Sequence, residues 1–128
     1  MALLAPVSWG ELIDKITILE IKSSRIADAG KRANVARELA ALTEARDLAL
    51  PAPPPGLNSA VGELRAVNET LWRIEDEIRE CEKRGDFSAT FVALARSIYA
   101  TNDRRAAIKR RINAMLGSDL VEEKSYKG

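Results

Sequence analysis

Apolar residues recur at helical spacing in four blocks, separated by glycine and proline breaks. The first block opens at Ser8. Ser8-Trp9-Gly10-Glu11 has the form of a capping box, in which the Ser8 hydroxyl accepts from the backbone N–H of Glu11 and the Glu11 carboxylate reaches back. Val7 and Leu12 stand where a hydrophobic staple would put them. Leu12, Ile16, Leu19 and Ile26 follow one stripe, and Ile18 and Ile21 lie off it. This helix is therefore apolar on more than one side, as a central or interface helix is. Gly30 stands past its expected end.

The second block carries Val35, Leu39, Leu42, Ala45 and Ala49 on one edge, bulky at its start and small at its end. The third has the clearest seam: Ala60, Leu64, Val67, Leu71, Ile74, Ile78 and Cys81 step by four and three. Cys81 on that seam reads as a buried small hydrophobe. The fourth runs inward through Phe87, Phe91, Leu94 and Ile98, turns polar at Thr101 and Arg105, and is apolar again at Ile108, Ile112 and Met115. The pattern predicts helices over 9–28, 34–49, 59–83 and 87–116. Short breaks make neighbours antiparallel, so the expected fold is all-α, an up-down bundle of four helices. One domain spans 1–128, with a semi-rigid proline-rich linker over 51–56 and a polar tail over 118–128.

The 128-residue length suits one hydrophobic core, and 46% hydrophobic with 30% charged residues excludes a disordered chain. Net charge is +1, from 20 Lys and Arg against 19 Asp and Glu, which gives no drive toward nucleic acid. The chain has no His, and its single Cys excludes an internal disulfide and a Cys-based zinc site. No metal and no cofactor are expected. The N-terminal run lacks a basic region, and no stretch approaches the roughly 20 apolar residues of a spanning helix. These features predict a cytoplasmic protein without membrane insertion.

Candidate chemistry lies at the polar break of the fourth block. At about 1.5 Å per residue, its middle falls level with the middles of the first and third blocks. The expected layer holds Lys15, Glu20 and Lys22 from the first, Asn68 from the third, and Asn102 and Arg105 from the fourth. Glu20 flanks the apolar stripe, and Arg105 is its expected partner, because a buried carboxylate needs a charge partner and a guanidinium offers a bidentate one. The layer has two readings: a buried ion pair that sets helix register, or a ligand site. The basic run Arg104, Arg105, Lys109, Arg110 and Arg111 spreads around the helix axis and reads as a solvated C-terminal half that offsets the helix dipole. Glu11-x-x-Asp14 and Glu77-x-x-Glu80 resemble the carboxylate pairs of helical nucleotide pyrophosphatases, which hold Mg²⁺. Parallel first and third helices would put those two pairs at opposite ends. No glycine-rich phosphate loop and no nucleophile–base pair is present.

Four strings, PVSWGELIDKITILEIK (6–22), VNETLWRIEDEIRECE (67–82), ARSIYATNDRRAAIKRRIN (95–113) and LVEEKSY (120–126), resemble a small bacterial family of unknown function. The resemblance covers most of the chain outside the Ala-rich second block and the PAPPP linker, and Ser23-Ser24 departs from it. It implies a small helical protein found beside or fused to glycosyltransferases of surface-polysaccharide assembly, and it carries over no catalytic residue. The expectation is a homodimeric binding or accessory protein with a glycosyltransferase partner. The alternative is an enzyme or binder acting on a phosphorylated or nucleotide-linked sugar through the polar layer.

Overall fold

A computed structural model describes residues 1–121 and 123. They form four helices and no strand: α1 (Trp9–Arg25), α2 (Ala29–Ala49), α3 (Leu57–Arg84) and α4 (Ala89–Met115). The fold is all-α, as the hydrophobic pattern predicts. No helix among the described residues is long and apolar enough to cross a membrane. The outer tail, residues 122 and 124–128, lies outside the described residues, and with it most of the last quoted string.

Local chemistry sets the helix ends. The Ser8 hydroxyl accepts from the Glu11 backbone N–H at 3.1 Å, as the capping box requires. The Glu11 carboxylate does not reach back, because it is held by Lys109 at 2.8 Å. Val7 is 55% exposed and forms no staple. α1 ends three residues short of Asp28, and α2 begins five residues before the expected 34. The reason is Asp28 itself: its carboxylate accepts from the Lys31 backbone N–H at 2.8 Å and caps α2, so Gly30 lies inside a helix. Gly85, in the left-handed conformation at φ 64°, closes α3 before the turn into α4.

α1 is the central element. It packs against α2, α3 and α4, and α3 packs along α4. The core draws Ile13 from α1, Leu57, Ala60, Leu64 and Val67 from α3, and Ile108 and Ile112 from α4. Each large side chain buried there stabilises the fold by roughly 1.5–3 kcal/mol. The α3 seam is buried or half-buried at every step from Ala60 to Cys81.

α2 packs against α1 alone. Only Val35 of its apolar edge is buried; Leu39 and Leu42 are half-buried, and Ala45 and Ala49 are exposed. The fold is thus the expected four-helix bundle, with α1, α3 and α4 sharing the core cluster and α2 packed on α1. Alanine offers too little area to hold a helix in place by burial, so this edge adds little to the core. Ile21 is 3% exposed and Ile18 half-buried. The chain covers the second apolar side of α1 by itself, so that surplus does not call for a partner.

Candidate functional site

α1 and α4 run antiparallel, and residues stepping by three and four along α1 meet residues stepping back by four along α4. The Gly10 backbone N–H donates to Asn113 Oδ1 at 2.7 Å. Lys109 Nζ lies 2.8 Å from Glu11 and 4.0 Å from Asp14. Arg105 makes a two-point ion pair with Asp14, its Nε at 3.0 Å from Oδ1 and its Nη2 on Oδ2. α3 joins from the side: the Asn68 amide donates to Asp14 Oδ1 and to Thr17 Oγ1, both at 2.9 Å. Thr17 in turn donates to the Asp14 carbonyl at 2.8 Å.

Asp14 is 1% exposed, Thr17 0% and Asn68 5%. Taking a carboxylate out of water costs several kcal/mol, which good geometry and additional hydrogen bonds must offset. Here Arg105, Asn68 and Lys109 do so together. No buried side-chain nitrogen or oxygen among the described residues lacks a partner. Gly10 is required where the ladder is tightest. A Cβ there would lie 2.6 Å from the Lys109 carbonyl oxygen, so any side chain would push α1 off α4.

Above this buried ladder lies an open groove of about 330 Å³ between α1, α3 and α4. Its walls carry Ile18, Ile21 and Lys22 from α1, Asn68, Leu71, Trp72 and Glu75 from α3, and Asn102 and Arg105 from α4. Arg25 stacks over the Trp72 ring with its guanidinium carbon 5.9 Å from the centroid. The Arg105 side chain is 29% exposed, so its guanidinium belongs to both the ladder and the groove. Asn68 spends both amide hydrogens on Asp14 and Thr17, which leaves its carbonyl oxygen as an acceptor. The side chains of Lys22 and Asn102 make no hydrogen bond or ion pair among the described residues.

Of the six residues expected in one layer, Lys22, Asn68, Asn102 and Arg105 line this groove. Lys15 does not: it faces α2 and pairs with Glu38 at 3.7 Å. Glu20 does not either: its partner is Arg65 at 2.7 Å, in a second cleft. The expected Glu20–Arg105 pair is replaced by Asp14–Arg105. Glu20 lies six residues beyond Asp14, which turns it about 120° around the helix, away from α4. Asp14, Thr17 and Lys109 lie outside the expected set. Asp14 and Thr17 share a face of α1 with Gly10 and Ile21, which periodicity by hydrophobicity alone passes over, and Lys109, expected in the solvated basic run of α4, is 6% exposed because it turns toward Glu11 and Asp14.

Among the described residues no group of three or more acidic, Cys or His side chains is placed to hold a metal ion. Glu11 and Asp14 are engaged by Lys109 and Arg105, while Glu77 and Glu80 border a separate open cleft beside Cys81. The pyrophosphatase arrangement does not form.

A family model described as "Family of unknown function (DUF6165)" matches residues 4–128. The chain belongs to this family. No curated protein and no solved structure matches it. The matched span includes the whole ladder and every residue of the groove.

Proposed function

We propose that this chain is a binding protein, that the groove between α1, α3 and α4 is its recognition site, and that its ligand is a phosphorylated or nucleotide-linked sugar. The observation that carries the reading is the gathering of an indole, two amides and two cations around one open groove: Trp72, Asn68, Asn102, Lys22 and Arg105. The Trp72 indole suits a sugar ring or a base, which would take the place of Arg25 over its face. The Asn68 carbonyl, the Asn102 amide and the Glu75 carboxylate suit ring hydroxyls. Lys22 and Arg105 suit phosphate oxygens, the first as a point charge and the second as a planar fork. The ladder beneath holds Arg105 and Asn68 in place before any ligand arrives, which lowers the ordering cost of binding.

The resemblance to proteins found beside or fused to glycosyltransferases supports the same reading. In that setting the chain is a bacterial cytoplasmic accessory protein that presents or senses the sugar donor for a partner glycosyltransferase. Exposed Phe87, Val92 and Tyr99 around α4 support self-association as a homodimer. Light scattering that returns a monomer at high protein concentration removes the dimer from this reading.

The binding test uses thermal melting together with Trp72 fluorescence in a Trp9→Phe background, across nucleoside-diphosphate hexoses, hexose 1-phosphates, free hexoses and orthophosphate. A saturable quench with the phosphorylated sugars is expected, with stabilisation of about 2.7 kcal/mol at a hundredfold excess over Kd. Lys22→Ala and Asn102→Ala should abolish it. No response to any phosphorylated sugar, or an equal response from both variants, would overturn the reading.

A further inference from the structure

A second cleft, of about 280 Å³, opens on the other side of α1, between α2 and α3. Its existence follows from the packing, because the backbones of α2 and α3 do not approach one another closely. Pro51 and Pro53 of the linker border it, and proline rings cannot be drawn into a helix that would fill the gap. Its floor is apolar and belongs to the core, with Ile13, Ile16 and Leu57 all at most 4% exposed.

Its rim is charged, with both signs on facing walls. Glu20 of α1 pairs with Arg65 of α3 at 2.7 Å, and each side chain is 41% exposed. Across the cleft, α2 contributes Arg46, whose Nε lies 3.0 Å from Asp47. Two guanidiniums and two carboxylates therefore surround an apolar floor, with no net charge. Each guanidinium has five N–H donors and gives one to a carboxylate among the described residues, so donors remain for a ligand.

We infer that this cleft is a site for a free L-α-amino acid with a large apolar side chain. The rim matches a zwitterion: a carboxylate meets Arg65 and Arg46, and an ammonium meets Glu20 and Asp47. The side chain then covers Ile13, Ile16 and Val61. A ligand with a single charge engages only the guanidiniums or only the carboxylates and so makes half of these contacts. The volume lies just below the usual range of ligand pockets, which suits a ligand of the size of one amino acid.

The test is a methyl-labelled NMR titration of the full chain with L-leucine and L-phenylalanine. Isovalerate, isoamylamine and glycine serve as controls that remove the ammonium, the carboxylate or the side chain. Saturable shifts are expected at the Ile13, Ile16 and Val61 methyls and not at Ile18 or Ile21, which line the other groove. Each control should bind at least about tenfold more weakly, as should Arg65→Gln and Glu20→Gln; tenfold corresponds to about 1.4 kcal/mol. Val61→Phe, which fills the cleft and leaves every charge in place, should abolish binding. The inference is overturned by no saturable shift, by isovalerate binding as well as leucine, by shifts centred on Ile18 and Ile21, or by unchanged affinity in all three variants.

Discussion

Arg105 grips Asp14 across 91 residues of sequence, through Nε at 3.0 Å and a second bond from Nη2, and so ties the middle of α4 to the middle of α1. The pair couples stability to the groove, because one guanidinium serves both. Arg105→Ala leaves Asp14 buried with Asn68 and with Lys109 at 4.0 Å. The expected loss is about 3 kcal/mol, the lower end for breaking a buried pair, because Lys109 remains near. Adding Asp14→Asn should recover part of it, since no buried charge is then left behind. Urea denaturation of the two variants measures both numbers.

Two glycine substitutions should act with opposite signs. Glycine to alanine in a helix interior ordinarily stabilises by about 1 kcal/mol. Gly62→Ala meets nothing within 4 Å and should show that gain. Gly10→Ala places a methyl 2.6 Å from the Lys109 carbonyl oxygen and should destabilise by about 1–3 kcal/mol, the range for overpacking. Melting temperatures of the two variants, compared side by side, check the close approach of α1 to α4.

α2 should be the first helix to open. It has one buried residue, Val35, and one helical neighbour, α1. Its amides are expected to exchange with solvent faster than those of α1 and of α3 between Ala60 and Ile74. Val35→Ala should raise α2 exchange further while leaving α3 protected. Hydrogen–deuterium exchange with peptide resolution reads both effects.

Acid should weaken two contacts of α4. The hydrogen bond from Arg111 holds the Glu63 carboxyl below its ordinary value, and bonds from the Ser88 side chain and backbone do the same for Asp86. A carboxyl with a lowered folded-state pKa adds stability above its unfolded value, and that stability is lost as pH falls through the folded one. Both groups are exposed, so the effect is small. Glu63→Gln and Asp86→Asn should each flatten the fall in urea midpoint below the ordinary carboxylate range, with little change at neutral pH.

What the sequence by itself determined is local. The Ser8 cap and the Ala60–Cys81 seam follow from groups within one or two turns of each other, and each stands where the pattern puts it. The apolar excess of α1 marks it as a central or an interface helix, and the tertiary structure makes it central. Which carboxylate meets Arg105 is a different kind of question. Asp14 and Glu20 both lie near the middle of α1, and no interaction within that helix prefers one over the other. The choice depends on how α1 is rotated against its neighbours, and a residue turns about 100° per step. Packing Ile13, Leu64 and Ile112 into one core sets that rotation. It turns Asp14 toward Arg105 and Asn68, and it turns Glu20 toward Arg65. The same packing sets α2 against α1, so the second cleft exists only in the tertiary structure: two helices separated by seven residues of sequence whose backbones stay apart.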